Sequence, residues 1–391
     1  MHIVQIHNTY KDVGGEDIVV ANEKRLLENA GHRVTQYFVH NRDINTLGKK
    51  LKTAITIPYS HEQKRKVKAF LKQQHPDVAH VHNFLPVLTA AVFDACNELK
   101  IPVVLTLHNF RLLCINGLLY RDQQVCEKCL PKKFPYHGIQ HACYQESRFA
   151  SFFQASANAY HNLRKTWQHK VNAIIFLTQF QQSVFERSHL SLPKEMCYIK
   201  PNFTEDQGHS LEPGEFYLFV GRVSAEKGIE CIIEAFKNNG RPLVIVGTGP
   251  LKTALEKATE QHTNIQFKGF QDQKQIQELY KKAKATVFAS KMYEGLSLVI
   301  LESYSFGTPI LAPKFGNGKY LIEHEITGRH FEKDNPKSLM EQIELFEESD
   351  QALLRRQARE KYMRAFTPEK NLQLLEGIYK AALRDIAKVD T

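Results

Sequence analysis

The sequence predicts an α/β protein built from two doubly wound parallel sheets, one after the other. Three observations carry this. A length of 391 residues is long for one hydrophobic core and comfortable for two. Short apolar runs alternate with helix-periodic stretches, the signature of βαβ units, and the alternation occurs twice. Between the two series, Pro201 to Gly214 is polar with proline near each end, and reads as a linker. The expected division is residues 1–200, then 201–368, then a closing helix over 369–391.

In the first half, Ile3 to His7 reads as a buried strand and Glu16 to Ala30 as a helix stopped by Gly31. Arg33 to Val39 is a strand. Val78 to His82, after Pro76-Asp77, is another, and Pro86 to Leu99 reads as mostly helix. Val103 to Leu107, Ala173 to Leu177 and Met196 to Ile199 complete the strands. In the second half the strands are Tyr217 to Val220, Leu243 to Val246, Ile265 to Phe267, Ala285 to Ala289 and Pro309 to Ala312. Ile229 to Phe236 has helical periodicity. Thr367-Pro368 caps and opens a last helix, Glu369 to Lys388.

Hydrophobic content of 42% is enough for globular folding. No apolar run approaches the roughly 18–20 residues of a membrane span. Met1 to His7 reads as a first strand and not as a signal peptide, so the expected location is cytoplasmic. A net charge of +10 points to nucleic acid, an anionic membrane or an anionic substrate; no nucleic-acid motif is present. Part of the excess lies between Arg42 and Lys72, where Lys49, Lys50, Lys52, Lys64, Arg65, Lys66 and Lys68 interleave with Leu47, Leu51, Ile55, Ile57, Val67, Phe70 and Leu71. Such a segment suits either an anionic lipid surface, on the inner face of the membrane, or an ordinary solvated helix face.

Glu294 to Glu302 reads EGLSLVILE. Its second half opens a helix that Gly307 and Pro309 close, which puts Glu294 on the preceding loop and Glu302 inside the helix. A helix N-terminus is an anion site. One carboxylate can then hold hydroxyls before the anion and the other hydroxyls beyond it, the layout of a sugar, a diphosphate and a ribose. The run Gly221-Arg222-Val223-Ser224-Ala225-Glu226-Lys227-Gly228 follows a strand and precedes a helix. Ligands bind at that end of open α/β sheets, and Arg222 and Lys227 can neutralise a diphosphate.

Taken together, GRVSAEKGIECIIEAF (Gly221 to Phe236) and EGLSLVILESYSFGTPI (Glu294 to Ile310) resemble glycosyltransferase family 4, of the kind found in bacterial cell-surface polysaccharide biosynthesis. The likeness runs through the C-terminal half. It is looser at Gly14-Gly15, His82-Asn83, His108-Asn109 and Lys200-Pro201-Asn202-Phe203. The resemblance implies the GT-B fold, two Rossmann-like domains facing a cleft, with the last helix crossing back to the first domain. It implies retaining transfer of a sugar from a nucleotide diphosphate sugar, with a UDP-sugar expected, to a lipid-linked or glycan acceptor. An epimerase, a phosphorylase or a non-catalytic nucleotide-sugar or lipid-surface binding protein of the same fold are the alternatives.

The resemblance also implies roles. Arg222 and Lys227 bind the diphosphate and stabilise its departure, so no catalytic metal is expected. Ser297 and Leu298 present backbone N–H groups, with Gly221, Gly295 and Leu296 shaping the turns. Glu302 takes the ribose and Glu294 the donor sugar, while Gly269 and Phe270 face the base. His108 bonds a sugar hydroxyl. Gly14 and Gly15 let the backbone approach the donor; Glu16, Asp17 and His82 line the acceptor side.

Four of the seven cysteines cluster in a Pro-, Gly- and Lys-rich insertion, residues 114–143: Cys114, Cys126, Cys129 and Cys143. Four thiols around one C-x-x-C fit a structural zinc, with His137 and His141 as alternate ligands. Unligated thiols and redox chemistry stay open. Cys96, Cys197 and Cys231 read as buried thiols.

Overall fold

The computed structural model describes residues 1–11, 14–210, 212, 214–237 and 239–389. The chain forms two compact units. The first comprises Met1–Leu119, Cys126–Pro201 and Asn371–Thr391, and the second Tyr120–Val125 and Asn202–Lys370.

The first unit is built on β1 (His2–Thr9), β2 (Arg33–His40), β3 (Val78–Val81) and β4 (Val103–Leu107). A short antiparallel hairpin, β5 (Tyr120–Arg121) with β6 (Gln124–Val125), interrupts the series and belongs to the second unit. β7 (Ala173–Phe176) and β8 (Cys197–Ile199) complete a six-stranded, all-parallel sheet in the order β2-β1-β3-β4-β7-β8. β3, β4 and β7 are buried along their whole length. That is what mostly apolar runs do when helices cover both faces of a parallel sheet, and the buried His80 and Thr106 in β3 and β4 hydrogen-bond each other. In the helix Pro368–Val389, Leu375, Ile378, Tyr379 and Ala382 recur at helical spacing and bury against Ile3, Val78 and Val104.

The second unit holds β9 (Phe216–Val220), β10 (Leu243–Val246), β11 (Ile265–Gly269), β12 (Ala283–Val287), β13 (Ile310–Pro313) and β14 (Gly328–Phe331). All six are parallel, in the order β11-β10-β9-β12-β13-β14. The order reverses at β9 and β12, the switch point where open α/β sheets take ligands. In the first sheet the corresponding point lies between β1 and β3. Two glycines make the β9–β10 end compact: Gly221 has φ +152° and Gly247 φ +129°, and a Cβ on Gly247 would lie 1.9 Å from the Gly221 carbonyl oxygen.

The helix expected over Pro86 to Leu99 is confined to Ala91–Asn97. Thr89, at φ +60°, turns the chain back so that its N–H bonds the Phe84 carbonyl at 2.6 Å, and a helix cannot pass through that residue. The basic stretch after Arg42 is two helices, not one segment. His61–Gln74 buries Val67 and Leu71, whereas Leu47–Thr56 buries nothing. β14 and the hairpin had no distinct sequence signal.

Candidate functional site

In the second unit the site grows from the turn after β9. Ser224 starts a single 3₁₀ turn, Ala225–Lys227, which Gly228 ends at φ +71°. A Cβ there would meet the Ala289 carbonyl oxygen at 2.1 Å, so this turn fits against the strand end beyond β12 only with glycine. The approach delivers Lys227 to the EGLSL loop: its Nζ donates to Glu294 Oε1 at 2.8 Å. The pair is open at one end, Lys227 being 26% exposed and Glu294 9%. Arg222 is exposed, and no described carboxylate pairs with its guanidinium.

The loop before the next helix is held from behind. Asn317 Nδ2 donates to the carbonyls of Glu294 at 2.7 Å and Gly295 at 2.6 Å. The helix Leu298–Ser305 begins at Ser297 with no side-chain cap, so its first N–H groups face outward without an intrahelical acceptor. Within it, Glu302 Oε2 accepts from the Tyr280 hydroxyl at 3.1 Å. Burial raises its carboxyl to about 7, against the pull of that hydrogen bond. Gly269 ends β11 at φ +62°, and Phe270 beyond it is 80% exposed, leaving a bare aromatic face. Lys227, Glu294, Gly295, Leu296, Ser297 and Leu298 thus belong to one stretch of surface around the switch point, with Arg222 on the same turn as Lys227 and the Glu302 carboxyl buried against Tyr280.

The first unit places His82 after β3 and His108 after β4. His82 Nδ1 and His108 Nε2 lie 3.1 Å apart, with the rings stacked. The His80 ring lies against His82 too, its centroid 4.1 Å away and tilted by 36°. Behind them Glu23 Oε1 accepts from Lys200 Nζ at 2.5 Å, both fully buried. Glu23 Oε2 lies 3.6 Å from His82 Nε2 and 3.9 Å from His80 Nδ1, and neither Glu23 Oε2 nor His82 Nε2 makes a hydrogen bond. His80 Nδ1 meets the Tyr379 hydroxyl and Nε2 the Thr106 hydroxyl, each at 2.8 Å. Burial lowers His80 to about 4 and holds His82 and His108 well below the usual imidazole range. Neutral imidazoles of this kind donate or accept hydrogen bonds and do not serve as acids at neutral pH. Ligand atoms of Glu23, His80 and His82 lie within 4.8 Å of one another. The Lys200 ammonium on Glu23 opposes a cation there.

Gly14 caps the helix Gly15–Asn29, its N–H bonded to Asp17 Oδ2 at 2.8 Å. Asp17 also takes His7 Nε2 at 2.9 Å, so it holds the local backbone and is less available to a ligand. Glu16 accepts from the Tyr10 hydroxyl at 2.8 Å. Its other oxygen is buried without a partner, and burial raises its carboxyl to about 7. A cavity of about 340 Å³ opens beside them, lined by Tyr10, Lys11, Lys50, Ile57 and Arg111 among others.

Sequence alone gave no role to Glu23, His80, Tyr280 or Asn317, and placed Lys200 only in one of the looser family matches. One signal was available: Glu23 sits on the buried face of its helix with Val19, Val20 and Leu27, and a charge on an apolar stripe demands a partner.

Residues 13–203 match the sequence model described as Glycosyltransferase Family 4, and residues 202–365 that of Glycosyl transferases group 1. The chain belongs to glycosyltransferase family 4. A D-rhamnosyltransferase of Pseudomonas aeruginosa is 30% identical over 158 residues, 39% of this chain and 42% of the relative. An alpha-monoglucosyldiacylglycerol synthase of Streptococcus pneumoniae is 24% identical over 84% of this chain and 77% of its own. The first curated relatives are matched over 33% to 47% of their length. An Anabaena structure, HepE in complex with UDP, superposes with a TM-score of 0.66 at 16% identity, over 97% of this chain and 100% of that one. The family member described here therefore has the GT-B fold. Among the described residues no helix is long and apolar enough to cross a membrane.

Proposed function

We propose that this family 4 glycosyltransferase transfers a sugar, with retention, from a nucleotide diphosphate sugar to a lipid-linked or glycan acceptor in surface-glycan assembly. The observation that carries the reading is the Lys227–Glu294 pair at 2.8 Å, set at the switch point beside the uncapped helix start. A cation that bridges to a sugar-binding carboxylate can follow the negative charge as the diphosphate departs. Arg222 adds a second cation, and the N–H groups of Ser297 and Leu298 add fixed dipoles, so the chemistry rests on electrostatic preorganisation without a metal. Glu302 receives the ribose hydroxyls. His108, neutral and braced by His82, bonds a sugar hydroxyl. The UDP in the Anabaena complex supports a uridine donor.

The acceptor reading rests on the first unit. Leu47, Leu51 and Ile55 stand exposed at helical spacing beside Lys49, Lys50 and Lys52, and Lys50 reaches the cavity that Lys11 and Arg111 also line. An apolar face next to a cationic pocket suits an acceptor carrying phosphate on a lipid. Three basic residues of His61–Gln74 are less available: Lys64 and Lys68 pair with Glu98, and Lys66 with Glu62.

The test is a panel of UDP-, GDP- and ADP-sugars incubated with the purified protein and anionic vesicles bearing a polyprenyl phosphate-linked sugar. Transfer with the donor's anomeric configuration, seen by NMR, is expected. Sugar interconversion without acceptor would indicate an epimerase, and binding without turnover a non-catalytic protein.

A further inference from the structure

Among the described residues the four cysteines of 114–143 are not gathered into a set of metal ligands. Polar groups do converge in the second unit, behind the EGLSL loop. The helix Gly316–Leu321 follows β13 after a short turn. A Cβ on Gly318 would lie 2.5 Å from the Pro313 carbonyl oxygen, so the helix starts hard against the strand end. That placement brings Asn317 to the loop. Asn317 is 3% exposed, and its Nδ2 donates to the carbonyls of Glu294 at 2.7 Å and Gly295 at 2.6 Å. A second tie joins the same two segments. Tyr293 and Phe315 stack with ring centroids 5.0 Å apart and 19° between their planes, and Lys333 Nζ lies over the Phe315 ring, 4.5 Å from its centroid.

The amide orientation follows from chemistry. A carbonyl oxygen only accepts, so the NH₂ side of Asn317 must face both carbonyls. That leaves Asn317 Oδ1 buried without a hydrogen bond. A buried acceptor with no donor is unfavourable, and an apolar residue of like size would avoid it. Such a residue could not bond two carbonyls, which is what this side chain does.

The two bonds fix more than the carbonyls. In a trans peptide the C=O of one residue and the N–H of the next point in opposite directions, and both peptides of the run Glu294-Gly295-Leu296 are trans. Drawing the Glu294 and Gly295 carbonyls back to Asn317 therefore turns the N–H groups of Gly295 and Leu296 the other way. Neither N–H has an acceptor among the described residues. The Glu294 side chain is held separately, by Lys227 Nζ at 2.8 Å. A lysine that follows a departing diphosphate releases that hold; the Asn317 bonds do not depend on it.

We propose that Asn317 is a positioning residue for the donor sugar, clamping the backbone of Glu294 and Gly295 so that the Glu294 carboxylate keeps its place while Lys227 changes partner. The proposal rests on the reading of Glu294 as the carboxylate that holds the sugar.

The test compares Asn317→Asp, Asn317→Ala and Glu294→Ala with the wild type. Its two probes are the nucleotide sugar that the wild type turns over and the corresponding free nucleoside diphosphate. Asp keeps the shape of Asn but sets oxygen against both carbonyls, and Ala removes the contact without adding charge. Both Asn317 variants should lower kcat by about ten- to a hundredfold, as Glu294→Ala does, while affinity for the free nucleoside diphosphate and the melting temperature of Asn317→Ala stay near wild type. Where Asn317→Asp does not fold, Asn317→Ala gives the same readings. Normal kcat in the Asn317 variants, with Glu294→Ala impaired, overturns the clamp alone. Normal turnover in Glu294→Ala overturns the sugar reading beneath it. Equal loss of affinity for the nucleotide sugar and the free diphosphate, or unfolding of both Asn317 variants, makes Asn317 a structural residue and overturns positioning.

Discussion

The two units treat charge in opposite ways. In the second, Lys227 and Glu294 pair at the surface, with 26% and 9% of their side chains exposed, and Arg222 stands open beside them. In the first, Glu23 and Lys200 are sealed from solvent, and His80 and His82 are sealed with them. A surface pair can exchange one partner for a ligand at little cost. A sealed pair cannot, because whichever group loses its partner keeps an uncompensated charge in low dielectric. The second unit is therefore built to bind charge and the first to hold neutral imidazoles in register.

The sharpest way to break this comparison is to cut the sealed pair. Glu23→Ala or Lys200→Ala should cost about 3–5 kcal/mol of unfolding free energy, measured by urea denaturation. Replacing both, Glu23→Leu with Lys200→Met, should recover much of it. Single variants within about 1 kcal/mol of wild type would mean that the pair behaves as a surface ion pair.

The exposed cations should show the reverse pattern. Lys227→Ala and Arg222→Ala should each lower kcat/KM for the donor by about a hundredfold or more, about 2.7 kcal/mol at the barrier, with melting temperature nearly unchanged. Near-normal turnover in either would remove that residue from diphosphate binding.

The smallest effects concern the two carboxylates. Glu294→Ala should mainly lower kcat, because sugar contacts change as the bond breaks, whereas Glu302→Ala should mainly raise donor KM. Glu302 also carries a pH signature. Its carboxyl titrates at about 7 in the fold against 4.5 for an ordinary glutamate, so the fold binds this proton more tightly than the unfolded chain does. The resulting stabilisation is complete below about 4.5 and lost as pH rises through about 7. Glu302→Gln should flatten that slope in a pH series of melting temperatures. Donor KM should rise as pH falls through about 7 in the wild type only.

Much of the second unit was legible. Its strands are short, apolar and punctuated by glycine, so their positions followed from pattern, and the site residues lie in two runs at strand ends. The first unit was less so. Pro86 to Leu99 has helical composition, yet Thr89 turns the chain back and shortens the helix. The basic stretch after Arg42 reads as one amphipathic segment, but burial of Val67 and Leu71 separates a packed helix from an exposed one.

By itself the sequence determined the repeated βαβ alternation and the residue types at each strand end, because hydrophobic period and turn chemistry are local properties. Only the tertiary structure decided which of those residues meet. Lys227 and Glu294 are brought together by the crossing from β9 to β12, and Glu23 with Lys200 by the adjacency of a first helix and a last strand. Partner choice over such separations depends on sheet order and on the close approach of glycine backbones, which no local pattern encodes.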